Sequence, residues 1–197
     1  MKTKIGILGG AFDPIHNSHL ETAKAVLCAG FVDCVFITPC YNHKFGKQMT
    51  SAEHRMEMIK RAIKEKCEHY NIAMCPVEIN MKHEGSTYEF LTHMKKTTTN
   101  MEFLCIAGLD NAISIEKWHR WKELIEEFPF IVVNRYGSED NPHAWYHKGN
   151  HFYLDVAEKT GTMSSTKARE WLRDGKVPEE LPASVMNYII LNKLYKT

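Results

Sequence analysis

The stretch Ile5-Gly6-Ile7-Leu8-Gly9-Gly10-Ala11-Phe12-Asp13-Pro14-Ile15-His16-Asn17-Ser18-His19 decides how the rest of the chain is read. Its short apolar start, residues 5–8, has the look of a strand buried on both faces. Two glycines follow, and they let the backbone come close to a ligand. Beyond them, Leu20, Ala23, Val26 and Leu27 fall at helical spacing and stop at Gly30, a helix-ending residue. Strand, glycine turn and helix in that order open a parallel sheet. The pattern is neither the dinucleotide GxGxxG nor the GxxxxGK[ST] phosphate loop.

Outward from this unit the alternation continues. Strands are expected over residues 34–37 (closed by Pro39), 77–79, 103–107, 130–133 and 151–154. Helices are expected over 52–67, where Met56, Ile59 and Ile63 share a face, and over 88–96, 118–128, 165–173 and 185–195. Polar loops fall at 40–50, 134–150 (turning at Asn141-Pro142) and 174–182. Strand and helix in turn give an α/β chain with a doubly wound parallel sheet, whose ligands bind beyond the carboxyl ends of the strands. We expect one domain over 1–197, a core to about residue 160 and a small helical part over about 161–197.

The 197 residues can bury about 70% of their unfolded surface, so no covalent staples are needed. With 44% hydrophobic and 25% charged residues, the composition is that of a globular protein and excludes disorder. Lys plus Arg is 25 and Asp plus Glu is 24; a net charge of +1 gives no case for a protein that coats nucleic acid or an anionic membrane. The six cysteines form no CxxC pair and read as reduced, buried thiols rather than disulfides or zinc ligands. No run approaches the ~20 apolar residues of a membrane helix, and the N-terminal apolar run is too short for a signal peptide. The expectation is a soluble, cytoplasmic protein acting on small molecules.

Two segments carry anion-binding chemistry. His16 and His19, three residues apart at a helix start, can aim both imidazoles at one point beside exposed N–H groups and a positive dipole end. A purely structural role is open to Ser18, because Ser18-His19-Leu20-Glu21 fits a capping box. Near the other end, Ser164-Ser165-Thr166-Lys167-Ala168-Arg169 caps a second helix. Lys167 and Arg169 then oppose its dipole by about 0.3–1 kcal/mol each when exposed, a sign that a bound polyanion reverses. Two helix N-termini on one triphosphate would make a clamp. Elsewhere Lys44, on a loop, is either a solvated surface lysine or a mobile point charge for an anion; Asp110 either caps a turn or accepts from ligand hydroxyls; and Tyr88 and Trp118 are flat enough to stack on a ring. For Trp118 a core role fits the residues equally well.

The first segment resembles the GxFxPxHxGH signature of the nucleotidyltransferase superfamily, with Ser18 where relatives carry glycine. The second is similar to its [ST]-S-[ST]-x-x-R signature. Further stretches, in order, resemble bacterial nicotinate-nucleotide adenylyltransferase: Pro39 with His43-Lys44, Ser51-Ala52-Glu53-His54-Arg55-Met56, Glu84-Gly85-Ser86-Thr87-Tyr88 with Thr92, Gly108-Leu109-Asp110 with Trp118, and Val132-Val133-Asn134-Arg135-Tyr136-Gly137. The resemblance implies a Rossmann-like fold and transfer of an adenylyl group from ATP to nicotinate or nicotinamide mononucleotide, releasing pyrophosphate, in NAD biosynthesis. It implies His16, His19, Lys44 and Arg169 as catalytic residues. It implies Gly9, Gly10, Phe12, His16, His19, Gly108, Asp110, Ser164, Ser165, Thr166 and Arg169 around ATP, and Lys44, Thr87, Tyr88, Trp118 and Arg135 around the mononucleotide. Mg²⁺ would arrive on ATP, with no resident metal. ATP and a pyridine mononucleotide are the implied partners, without nucleic acid or membrane, and association into a homo-oligomer stays open.

Glu89 stands where that family has threonine; pointing inward, its carboxylate would repel nicotinate and favour nicotinamide mononucleotide. Other readings stay open on the residues alone. A pantetheine-phosphate adenylyltransferase or a cytidylyltransferase shares the histidine pair, and a sensing module would bind ATP without turnover. A class I aminoacyl-tRNA synthetase needs a longer chain, and a dehydrogenase needs the missing GxGxxG.

Overall fold

The computed structural model describes residues 2–42, 48–82, 86–134, 139–156 and 164–196. Along the chain run β1 (Thr3–Gly10), α1 (Asn17–Cys28), β2 (Cys34–Pro39), α2 (Ala52–Lys66), β3 (Ile72–Met74), α3 (Val77–Asn80), α4 (Thr87–Thr97), β4 (Met101–Gly108), α5 (Leu109–Ile113), α6 (Trp121–Glu127), β5 (Phe130–Asn134), β6 (Phe152–Asp155), α7 (Ser165–Arg173) and α8 (Ala183–Leu191). Short 3-10 turns occupy Ile115–Lys117 and Trp145–His147.

The six strands form one sheet in the order β3-β2-β1-β4-β5-β6, with every pairing parallel. The period of two in each strand sorts the core onto two faces. Ile5 and Ile7 of β1, Phe103, Cys105 and Ala107 of β4, and Phe130 and Val132 of β5 pack with Tyr88, Leu91, Leu109 and Leu124 from α4, α5 and α6. Leu8, Leu104, Ile106, Ile131 and Val133 face the other way, onto Leu20, Ala23, Met58, Ile59, Ala168, Leu172, Val185 and Ile189 from α1, α2, α7 and α8. This is the Rossmann-like doubly wound arrangement. The chain leaves β1 toward β2 and β3, then returns to place β4 on the other side of β1. The crevice where the winding reverses lies beyond β1 and β4.

Three boundaries differ from the sequence reading. The strand expected at 77–79 is helix α3, and the edge strand is Ile72–Met74 instead. Pro76, with its fixed φ and missing N–H, caps α3 and suits a helix start better than a ladder. The helix expected from Trp118 begins at Trp121, because Trp118 is extended and Arg120 sits at φ 53 in the left-handed region. The last helix stops at Leu191; Lys193 and Tyr195 have φ 53 and 62, so the chain turns back there. All six cysteines are free, with Cys67, Cys75 and Cys105 buried but Cys28 exposed. Among the described residues, no helix is long and apolar enough to cross a membrane.

Candidate active site

Beyond the carboxyl ends of β1 and β4 lies a cavity of about 370 Å³. Gly9, Gly10 and Ala11 form one wall with His19 and Thr22 of α1; Gly108, Asn111, Lys117 and Trp118 form another; Thr38, Cys40, Glu78, Ser86, Thr87 and Phe90 close it. Glycine suits position 9 for a physical reason: a Cβ built there meets nothing within 4 Å, so the backbone is left open toward the cavity.

Helix α1 starts at Asn17, with His16 as its extended N-cap. The His16 backbone N–H donates to Nδ1 of His19 at 3.3 Å, and the two rings lie 3.7 Å apart, centroid to centroid. A neutral His19 whose Nδ1 accepts carries its proton on Nε2. His16 is 1% exposed, whereas His19 faces the cavity. Ser18 is therefore not the cap expected from its S-x-x-E spacing. It is buried in the first turn, and its carbonyl accepts from the Thr22 hydroxyl at 2.8 Å. Phe12, expected at ATP, does not line the cavity. At φ 49 and 1% exposed, it sets its ring edge-on beneath His19 at 5.0 Å.

Helix α7 meets the loop that carries this pair. Ser164 caps it, accepting from the Lys167 N–H at 3.2 Å. The Ser165 hydroxyl donates to the Pro14 carbonyl at 2.9 Å. Arg169 donates from Nη1 to the Asp13 carbonyl at 2.5 Å and from Nη2 to Thr166 Oγ1 at 3.2 Å. Two segments more than 140 residues apart in sequence thus join through main-chain oxygens of loop 11–14. Ser164, Ser165, Thr166 and Arg169 border that loop and are not among the residues lining the cavity.

The remaining candidates divide. Gly108 and Thr87 line the cavity; so does Trp118, which also packs on the core beneath β4. Asp110 is exposed in the first turn of α5, and its neighbour Asn111 takes the lining position. Tyr88 points away from the cavity. Its hydroxyl donates to Glu127 at 2.7 Å, Arg120 stacks on its ring at 4.1 Å, and its edge meets Phe128. Glu89 also turns away, accepting from the Ser86 N–H at 2.8 Å and pairing with His119 at 3.2 Å, as the acid of a capping box. Lys44 and Arg135, with His43, Glu84, Gly85, Tyr136 and Gly137, lie outside the described residues.

Sequence reasoning missed a second tier. Arg55 is 1% exposed and reaches two main-chain oxygens, Thr50 O at 3.0 Å and Ala11 O at 2.9 Å. Asp13 is 2% exposed and accepts from the Thr50 N–H at 3.2 Å and the Tyr195 hydroxyl at 2.5 Å. Burial, then the Asp13 carboxylate, pushes the Tyr195 phenol upward, so it stays a donor. Glu78 accepts from the Tyr41 N–H at 3.0 Å; burial pushes its carboxyl up to about 7, against the pull of that N–H and the Arg55 charge. Burial likewise pushes the Cys40 thiol up to about 11, so it carries no thiolate. Among the described residues, no group of three His, Cys, Asp or Glu can hold a metal ion.

The sequence profile of the cytidylyltransferase-like family matches residues 7–171. The nicotinate-nucleotide adenylyltransferase of Bacillus subtilis (strain 168) is 32% identical, covering 98% of this chain and 99% of that protein. A "probable nicotinate-nucleotide adenylyltransferase" of Clostridium acetobutylicum is 33% identical, covering 99% of this chain and 100% of that protein. Among solved structures, the Plasmodium falciparum nicotinic acid mononucleotide adenylyltransferase complexed with NaAD superposes with a TM-score of 0.87 at 22% identity, over 98% of this chain and 97% of that one. The fold agrees with that neighbour, and full-length identity above the level of shared fold sets the assignment: the chain belongs to the cytidylyltransferase-like family and, within it, to the nicotinate-nucleotide adenylyltransferases.

Proposed function

We propose that the chain transfers the adenylyl group of ATP to nicotinate mononucleotide in the cytoplasm, using loop 11–14 and the two helix N-termini beside it for the triphosphate. One observation carries this reading: Arg169 and Ser165 of α7 are bonded to the same loop that leads into the His16–His19 pair. The positive ends of α1 and α7 are thereby brought to one place, where a polyanion is favoured by both dipoles.

In the reaction, an oxygen of the mononucleotide's 5′-phosphate attacks the α-phosphorus of ATP. A new P–O bond forms, the bond to the bridging α–β oxygen breaks, and that oxygen leaves on pyrophosphate. The attacking phosphate is mostly dianionic at neutral pH, so no general base is required. The chain's work is in-line positioning and stabilisation of charge on the phosphoryl oxygens. His19 donates from Nε2 to a phosphate oxygen, and His16 holds the His19 ring through its own N–H. Arg169 and the α7 N-terminus offset charge on the departing pyrophosphate. Mg²⁺ enters with ATP as part of that substrate and keeps several waters.

Trp118 and Thr87 line the half of the cavity assigned to the pyridine, with Trp118 as the flat surface for the ring. Glu89 is committed to capping α4, which removes the electrostatic objection to a nicotinate carboxylate. The test is pyrophosphate release from ATP with each mononucleotide in turn, with CTP as a control. Faster turnover with the nicotinate form and a loss of about tenfold or more in kcat/KM for His19→Ala are expected. A His19→Ala variant within that factor of the parent removes His19 from the mechanism, and release driven equally by CTP removes the adenylyl assignment.

A further inference from the structure

We infer that Tyr195 is a positioning residue for ATP, acting through Asp13 on the loop that carries the histidine pair. Loop 11–14 is held from several distant elements at once. Its carbonyls are taken by Arg55, Arg169 and Ser165, while its side chain Asp13 takes the Thr50 N–H and the Tyr195 hydroxyl. A carboxylate that is 2% exposed depends on each donor, since water cannot replace a lost one. A hydroxyl donating to an ionised oxygen is also among the stronger hydrogen bonds.

The route by which Tyr195 arrives points the same way. Helix α8 ends at Leu191, and the chain then reverses through Lys193 and Tyr195 at φ 53 and 62, with no glycine to ease it. Non-glycine residues in the left-handed region persist where the surroundings over-determine them, and such places gather at functional sites. The reversal brings residue 195 back to residue 13, across 182 positions of sequence. The loop so fixed is the one to which Arg169 is keyed and from which α1 springs. Without the hydroxyl, Asp13 keeps, among the described residues, the Thr50 N–H alone, and loop 11–14 gains freedom to shift relative to both phosphate-facing segments.

This inference rests on the proposed use of His19 and Arg169, and the experiment separates the two. Steady-state kinetics of Tyr195→Phe, which keeps the ring and removes only the hydroxyl, should show KM for ATP raised about fivefold or more and KM for the mononucleotide within about twofold, with the melting temperature lowered by only a few degrees. Asp13→Asn should show the same split, and the double variant should lose no more than the worse single one, because both act through one bond. Unchanged KM for ATP in Tyr195→Phe, or additive losses in the double variant, overturns the inference. So does a large fall in melting temperature with both KM values moving together, which marks a structural clamp alone. Should His19→Ala prove fully active, it is the site reading that fails, whatever Tyr195→Phe does.

Discussion

Replacing Glu78 by Gln removes a proton-binding group from the cavity wall while keeping an oxygen that accepts from the Tyr41 N–H. In the folded protein the carboxyl titrates at about 7, against an ordinary value of 4.5, chiefly because burial disfavours its charged form. Between those two pH values the folded state holds a proton that the unfolded state has released. Stability therefore falls as pH rises through that window. The gap corresponds to a loss on the order of 2–3 kcal/mol between pH 4.5 and pH 8, with relaxation around the carboxylate reducing it. Urea unfolding at a series of pH values, for the parent and for Glu78→Gln, measures this directly. Every other ionisable group is common to both proteins, so the difference between the two curves isolates Glu78. The expected difference is small near pH 5 and grows to favour the variant by about 1–3 kcal/mol at pH 8. Parallel curves would refute the reasoning, and a difference of opposite sign would mean that the Arg55 charge outweighs burial.

Two further outcomes follow from the same geometry. Gly9→Ala places a methyl in open space facing the cavity, so the fold should tolerate it, with stability changed by less than about 1 kcal/mol, while KM for ATP rises; thermal melting and kinetics together check this. Arg55→Met removes both donors to the Thr50 and Ala11 carbonyls and should cost about 2–4 kcal/mol in denaturant unfolding, far more than an exposed arginine would.

What the sequence made legible was local and periodic. The apolar runs of β1, β4 and β5 are continuous because both their faces are covered, and so they stand out. β3 does not: three residues at a sheet edge, with Ala73 exposed, give no pattern to read, whereas Val77-Glu78-Ile79 alternates like a strand and is helical. His16 was legible as a candidate ligand but not as a helix cap, since imidazole is not among the usual capping side chains. Trp118 and Trp121 share helical spacing, which places the helix start three residues early, and nothing local announces the left-handed Arg120. Tyr88 reads as a ligand residue because an aromatic ring suits stacking on a pyridine and packing on Phe128 equally well, and the structure shows the packing. Asp13, Arg55, Glu78 and Tyr195 escaped for one shared reason: their partners are fixed by the tertiary fold, and no local pattern of the sequence announces those pairings.

The placement of β4 beside β1 has a consequence for how the molecule is made. Parallel pairing of Ile5 with Phe103 must wait until the intervening chain has been synthesised, and the bond from Tyr195 to Asp13 waits until residue 195 has been made. A nascent chain emerging from the ribosome can pair β1 with β2 and bring Thr50 and Arg55 to its histidine loop early, but Ser165, Arg169 and Tyr195 join that loop only much later. Binding competence is therefore gained as α7 and the turn beyond α8 dock rather than as the first half folds.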